Sequence, residues 1–186
     1  MAPNPKQEND IWNPGWQMEG TPVLPEPDAF AGLWAERNWR NTPGPFYGAS
    51  TDTCGTGPIE APSNVFLDPE GHEFVVVQPR NPHEVKSVVS AAISDPFAGY
   101  GADGNVHWTA DLTREWWTKR SYLVEELRTV LRSSAETGRR DPAFESTVEF
   151  FIRFLEAEVE YYVRGYLFWL ESGSQPGPED LLPPLR

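Results

Sequence analysis

A helical pattern of apolar residues between Asp141 and Glu171 constrains the fold of this chain more than any other feature. The pattern consists of Phe144, Val148, Phe151, Ile152, Leu155, Val159, Tyr162, Val163, Tyr166 and Leu170. Steps of three and four residues place these side chains on one face of a helix. Asp141 followed by proline is a typical helix start, and Gly173 is placed to end the helix. Because a helix of roughly 45 Å cannot bury such a face alone, we expect a second long element to cover it.

The preceding segment supplies that element. Thr109 is a typical N-cap, and the pattern predicts a helix from about Ala110 to Thr137, ended by Gly138. Its predicted inner residues are Leu112, Trp116, Trp117, Leu123, Val124, Leu127, Val130 and Leu131. Only a few residues separate the two helices, so we expect an antiparallel helix hairpin.

The middle of the chain predicts a β-hairpin followed by a shorter helix. Strands are predicted at residues 64–68 and 73–78, because Val65-Phe66-Leu67 and Phe74-Val75-Val76-Val77 have β-branched or aromatic character and a Pro-Glu-Gly turn separates them. Asn81, with proline next and Glu84 three residues on, predicts a helix start, and the helix is expected to stop before Asp95. Its predicted buried residues are Val85, Val88, Val89, Ala92 and Ile93. A further short amphipathic helix is expected from Asp28 to about Arg40.

The prolines crowd the first third and the last dozen residues, which predicts irregular segments at both ends. Residues 1–27 are interpreted as an extended arm whose Ile11, Trp12 and Trp16 dock on the body, or alternatively bind a partner. The tail 174–186 is expected to be pinned by its leucines Leu181, Leu182 and Leu185. The predicted fold class is α+β, mainly helical, in a single domain. Its parts are the arm, a mixed region 28–108, the helix pair 109–173 and the tail.

The formal net charge of −13 argues against nucleic acids and anionic membranes as binding partners. Direct nucleic-acid binding needs Lys and Arg against phosphates, and an anionic membrane surface also attracts basic residues. A basic protein partner fits the charge, although acidity also serves solubility alone. With Cys54 as the single cysteine, no intrachain disulfide and no Cys-rich metal site can form. Without a signal peptide or apolar span, the expectation is a cytoplasmic protein with no cofactor and no metal.

Two motif matches are better explained as turns. Gly99 to Gly104 reads Gly-Tyr-Gly-Ala-Asp-Gly, which has the glycine spacing of a dinucleotide fingerprint. That fingerprint requires a strand before it and a helix directly after it, whereas here a predicted helix precedes it. Asp103-Gly104-Asn105 resembles the start of a calcium loop, but Arg114 stands where the closing glutamate belongs.

The long loops leave an enzyme or small-ligand function open. Cys54 could act as a nucleophile with a histidine such as His107 as base, although a packed cysteine is the ordinary alternative. The alternative ligand site therefore lies between loops 46–57 and 97–108 and contains Cys54 and His107. A pocket joining these two to Asp52 and Asp103 would favour it.

Carboxylates follow the outer face of the long helix at Glu145, Glu149, Glu156 and Glu160. A di-iron bundle would need them to point inward together with histidines, which both long helices lack. The set is interpreted either as a solvated face with intrahelical ion pairs or as an acidic stripe that meets a basic partner.

The order of several segments between residues 43 and 117 resembles a set of uncharacterised bacterial proteins. The segments are Pro-Gly-Pro-Phe-Tyr, Asp-Thr-Cys-Gly-Thr-Gly, Gln-Pro-Arg-Asn-Pro-His-Glu, Asp-Pro-Phe, His-Trp-Thr and Glu-Trp-Trp. Such proteins are sometimes labelled ferredoxin, but an iron–sulfur cluster takes four thiolates and this chain has one. In size and acidity they are similar to immunity proteins that neutralise toxins of interbacterial competition.

Charge, the lack of a catalytic motif and the aromatic loops together favour a non-enzymatic acidic protein. It would sequester a basic protein partner, such as a toxin, by occluding the partner's active site. The predicted partner-binding residues are Asp52, Tyr100, Asp103, Trp108, Glu156 and Glu160.

Overall fold

The computed structural model describes residues 27–136 and 141–186, and it is an α+β fold that is mainly helical. Four short strands are β1 Tyr47–Gly48, β2 Val65–Leu67, β3 Glu73–Val75 and β4 Tyr100–Gly101. The shorter helices are α1 Gly57–Glu60, α2 Pro82–Ser94 and α3 Gly104–His107. The long helices are α4 Ala110–Glu136, α5 Pro142–Arg153 and α6 Val159–Ser172, and a π-helical turn, Phe154–Glu158, joins α5 to α6.

The predicted antiparallel helix pair is confirmed. Arg114 near the start of α4 pairs with Glu171 near the end of α6, whereas Arg128 further along α4 pairs with Glu156 in the π-helical turn. The Asp141 side chain caps α5 by accepting from the backbone N–H groups of Ala143 and Phe144. Gly173 ends α6 in the left-handed conformation, with φ of 72°. The π-helical turn was outside the prediction, because the apolar spacing alone fits an uninterrupted helix.

The core between the helices contains most of the predicted residues. Buried members from α4 are Trp116, Leu123, Val124 and Leu127, and those from the opposite helix include Val148, Phe151, Ile152, Leu155, Val159, Tyr162, Val163 and Tyr166. Phe154 and Leu167 are buried as well. The remaining predicted positions are half-buried, except Phe144, which is 37% exposed.

The β-hairpin is confirmed and lies between two hydrophobic cores. Phe66 and Phe74 stand opposite each other in β2 and β3, and both pack into the helical core. Val65 and Val75, on the other face of the hairpin, belong to a second core against α2. Alternation along a strand sends neighbouring side chains to opposite faces. Both faces are therefore covered, which a hairpin that is marginal alone requires.

Helix α2 begins at its predicted cap, since the Asn81 side chain accepts from Glu84 N–H at 3.0 Å. The predicted inner residues of α2 are buried, with the exception of Ile93, which is 50% exposed. Ile93 lies in the last turn of the helix, where Ala91 and Ala92 face the core and Ile93 faces outward. At the start of α4, Thr109 Oγ1 accepts from Leu112 N–H at 3.2 Å, as its cap role predicts. Thr137 and Gly138 lie outside the described residues.

The predicted helix from Asp28 to Arg40 is wrong. The segment contains only two 3-10 turns, Pro27–Ala29 and Trp34–Glu36. Between them the chain runs alongside β4, with a bridge from Phe30 to Gly99 and a bond from Gly32 N–H to Tyr100 O. Tertiary pairing with another strand thus replaces the helical hydrogen bonds that the amphipathic pattern favours.

The C-terminal tail is extended and held by α6. Arg164 donates to the carbonyls of Leu182 and Pro183, and Leu185 is buried. Leu181 is 92% exposed, so its predicted anchoring role is wrong. The predicted N-terminal arm, with Ile11, Trp12 and Trp16, lies outside the described residues apart from its last residue. No helix within the described ranges has the length and apolar character needed to cross a membrane.

Candidate functional site

The two irregular loops meet, and their contact is closely packed. Strands β1 and β4 pair in antiparallel register, with Tyr47 opposite Gly101 and Gly48 opposite Tyr100. Both tyrosines are fully buried. A Cβ at Gly101 would overlap the Tyr47 ring, and one at Gly99 would overlap the Ser50 carbonyl. The glycines of the fingerprint-like segment therefore allow close approach between two loops of the protein itself.

Glu73 carries a buried carboxyl group beside this contact. It is fully buried in β3, where Tyr100 Oη donates to its Oε2 at 2.5 Å and Gly57 N–H donates to its Oε1 at 2.8 Å. Burial raises the pKa of Glu73, and the charges of Asp52 and Asp95 raise it further, although the two hydrogen bonds oppose the change. Burial also raises the pKa of Tyr100.

Asp95 and Asp52 hold the surrounding loops through backbone groups. The Asp95 carboxylate accepts from the N–H groups of Asp52, Phe97 and Gly99, and Asp52 Oδ1 accepts from Cys54 N–H. Asp95 is 4% exposed and Asp52 is 3% exposed. Within the described ranges, no hydrogen bond or ion pair from Lys or Arg reaches either carboxylate. The cluster therefore positions loops, and the backbone supplies its donors.

A second polar cluster lies at the surface around His107. Its Nε2 is 3.0 Å from Asp103 Oδ2, and Tyr47 Oη donates to Asp103 Oδ1 at 2.8 Å. The His107 ring stacks on Trp34 at 5.1 Å, and the Arg37 guanidinium lies 4.0 Å from the centre of the Trp34 ring. Burial alone would raise the pKa of Asp103, but the bonds from Tyr47 and His107 outweigh it, so the pKa is lowered.

The alternative ligand site is divided between these two clusters. Cys54 is exposed and contacts Asp52 through its backbone, whereas His107 pairs with Asp103. No hydrogen bond in the described part of the chain joins the two pairs, and none of the four residues lines the cavities described below. Within the described residues, the hydrogen bonds therefore place these four in two separate pairs.

Three of the predicted partner-binding residues are packed inside the protein. Asp52 and Tyr100 belong to the buried cluster, and Trp108 is 6% exposed because it packs against Trp34 at 5.2 Å. The expectation that loop aromatics are exposed as anchors is wrong for Tyr100 and Trp108. Tyr100 donates to Glu73 Oε2 and Trp108 packs against the Trp34 ring, so both side chains serve packing inside the fold. Asp103 is exposed.

Glu156 and Glu160 are exposed on the outer side of the long helix, as predicted. Each has an arginine of the same protein beside it. Glu156 Oε1 is 2.6 Å from Arg128 Nη2, and Glu160 Oε1 is 3.8 Å from Arg164 Nη1. The stripe is therefore partly neutralised by internal pairs, which lowers its value as an isolated acidic surface.

A large apolar groove, which local sequence patterns do not predict, opens between the β-hairpin and the end of the helix pair at which α4 ends and α5 begins. Its volume is about 910 Å³, within the range of small-ligand and peptide pockets. Phe66, Phe74, Leu123 and Leu127 form a buried apolar floor. Tyr122, which is 68% exposed, stands at the edge of the groove. Because the groove joins residues 66–74 to residues 122–144, which are distant in sequence, local periodicity gives no signal for it.

Carboxylates surround this apolar floor. Asp68, Glu125, Glu126 and Asp141 line the groove, and the described lining includes no Lys or Arg. Arg40, just outside the lining, holds Glu126 with two bonds of 2.7 and 2.8 Å. Arg128 pairs with Glu125 at 2.6 Å. Among the described residues the rim therefore contains carboxylates, of which Glu125 and Glu126 are held and partly neutralised by arginines just outside the lining.

No protein-family model, no curated protein and no solved structure matches this chain.

Proposed function

We propose that this chain is an acidic, non-enzymatic binding protein that sequesters a basic protein partner, as an immunity-type inhibitor of a bacterial toxin does. The observation that carries the proposal is the groove between the hairpin and the helix pair. It combines an apolar floor with a rim that contains carboxylates and no basic side chain among its described residues.

Such a groove suits an amphipathic segment of a partner. Apolar side chains on one face would fill the floor, as anchor residues do in protein interfaces. Lysine or arginine side chains flanking them would meet the exposed Glu125 and Asp141 at the rim. The net charge of −13 would attract a basic partner before contact and raise the association rate at low salt.

Occlusion is the mechanism that this arrangement supports. A partner whose basic, apolar surface surrounds its active site would lose access to its substrate when that surface fills the groove. Arg40 and Arg128, just outside the lining, hold Glu126 and Glu125 in fixed geometry, which reduces the entropy lost on binding.

A photo-crosslinking experiment tests the proposal with the full-length protein. A photoreactive phenylalanine analogue replaces Tyr122 of α4 at the groove. In the matched control the same analogue replaces Phe97, which is 70% exposed in the loop between α2 and β4. In cells of the source organism, the groove position should capture a positively charged protein that the Phe97 position does not capture. The captured protein, once purified, should lose its activity when equal amounts of this chain are added.

Two results would contradict the proposal. One is capture of the same proteins at both positions, which would indicate nonspecific contact. The other is a captured protein whose activity is unchanged by saturating amounts of this chain.

The proposal also predicts a phenotype in cells. Deletion of the gene should leave the cells sensitive to the captured protein.

A further inference from the structure

A second, smaller cavity lies where the π-helical turn meets the segment that follows β3. Its volume is about 250 Å³, below the range of roughly 300–1,000 Å³ of pockets for drug-sized ligands. Val77, Gln78, Phe154 and Tyr162 form its floor, and each is almost completely buried. Arg80, Glu158 and Tyr161 stand around its opening. The size suits one long side chain or a small organic ion.

The charges at the opening differ in how well they are compensated. Arg80 is already paired, because its guanidinium lies 3.3 Å from Glu84 Oε1 and its backbone N–H donates to Glu84 Oε2 at 2.8 Å. Glu158 is exposed and has no hydrogen bond or ion pair within the described residues. The nearby Glu156 and Glu160 each have an arginine. Glu158 therefore leaves a negative charge at the opening that no cation of the described residues contacts directly.

Aromatic rings supply the second part of the site. Phe154 and Tyr162 lie in the floor, and Tyr161, which is 42% exposed, stands beside Glu158 at the opening. The negative faces of aromatic rings attract organic cations, and a carboxylate beside them adds to the attraction. Glu158 and Phe154 are both brought to the cavity by the π-helical turn. Turns of this kind occur frequently at functional sites.

We propose that this cavity binds a single alkylguanidinium or alkylammonium group, such as the side chain of an arginine or lysine. The apolar stem would lie on Phe154 and Val77, and the charged head would lie between Glu158 and the Tyr161 ring. This site is separate from the groove, so its occupancy does not depend on the function proposed above.

The test uses propylguanidinium as the probe and propylurea as its neutral isostere, each titrated into the full-length protein at constant ionic strength. Amide chemical shifts report the binding. Propylguanidinium should give saturable shifts centred on Gln78, Glu158 and Tyr161, and propylurea should not. The Glu158→Gln variant should bind about fivefold more weakly, as expected for loss of a partly exposed charge pair. The Glu156→Gln variant, two residues away and outside the cavity, should bind like the wild type.

A Tyr161→Leu variant tests the aromatic contribution, since it keeps an apolar side chain and removes the ring. It should also weaken binding, while the spectrum of the unliganded protein remains that of a folded chain. N-acetylarginine amide, used as a second probe, should bind as well as propylguanidinium if the natural ligand is an arginine within a protein. Equal shifts from propylguanidinium and propylurea would overturn the proposal, and so would unchanged affinity in the Glu158→Gln variant.

Discussion

Asn41 shows how a single buried side chain can take the place of a strand. It is 1% exposed, and its Oδ1 accepts from Gly48 N–H and Val75 N–H, both at 2.8 Å. Its Nδ2 donates to Asn38 O and Gly48 O. The amide thereby links β1 to β3, and all four of its hydrogen-bonding positions are used. This role could not be predicted from the sequence, because an asparagine in a proline-rich stretch is equally typical of a turn.

The Asn41→Ala substitution should destabilise the protein by about 3 kcal/mol or more, because it leaves two buried backbone donors without acceptors. Urea unfolding followed by far-ultraviolet circular dichroism measures the effect. Asn38→Ala is the matched control. Because Asn38 is half-buried, its replacement should lower the free energy of unfolding by less. An equal loss in both variants would show that Asn41 does not bridge the strands.

Glu73 makes the fold sensitive to pH. Its pKa is raised in the folded protein, chiefly by burial. A raised carboxyl pKa means that the folded state binds the proton more tightly than the unfolded state does. This stabilising contribution is fully present below the ordinary pKa of about 4.3 and is lost as the pH rises through the folded pKa.

The Glu73→Gln variant should therefore gain stability relative to the wild type as the pH rises from about 4 towards neutrality. Glutamine can keep both contacts, because its oxygen can accept from Gly57 and its amide can donate to Tyr100. The relative gain should approach about 1.4 kcal/mol for each unit by which the folded pKa exceeds the unfolded one. Unfolding free energies measured across this pH range provide the test, and Glu70→Gln in the exposed turn is the control. A difference between variant and wild type that is flat or falls with pH would contradict this explanation.

At the scale of elements, the π-helical turn is the feature that departs most from the predicted helix. The Leu155 carbonyl accepts from Arg120 Nη1 of α4 at 2.8 Å. The turn rotates the second half of the helix, so that Tyr162 donates to Pro43 O and Tyr166 contacts Asn105. The helix itself followed from caps and apolar spacing. The turn did not, because the same spacing fits an unbroken helix and the contacts with Pro43 and Asn105 are tertiary.

Deletion of the exposed Ala157 should convert the π-helical turn into a regular helical turn. Because a π-helical turn is equivalent to one inserted residue, the deletion keeps the buried faces on both sides in place. The free energy of unfolding should change by no more than about 1 kcal/mol. Deletion of the exposed Ser146 within regular α5 is the control. It rotates all following residues by about 100° and should unfold the protein or destabilise it by more than about 4 kcal/mol. Equal damage from both deletions would mean that the turn is not an inserted residue.

At the scale of the whole molecule, the hairpin separates two cores, and the proline-rich loops cover the remaining edges. The helix pair, the hairpin and α2 could be predicted because their caps, turns and periodicity are local. The packing of Gly99 and Gly101 against the opposite loop and the burial of Tyr100 could not, because distant segments determine them. Distant segments also form the groove beside Tyr122, so local patterns did not predict it. Contacts with distant residues likewise bury Asp52, which was expected to be exposed.

Affinity of the full-length protein for two labelled helical peptides tests the proposed binding function most directly. One peptide contains leucine and lysine in an amphipathic pattern, and the other has glutamate in place of every lysine. Fluorescence anisotropy should show that the basic peptide binds and that added salt weakens the complex. Tyr122→Lys at the groove should weaken binding about tenfold, the effect of losing one anchor contact and adding a like charge. Phe97→Lys adds the same charge elsewhere and should have little effect. Equal binding of the two peptides, or equal effects of the two substitutions, would contradict the account.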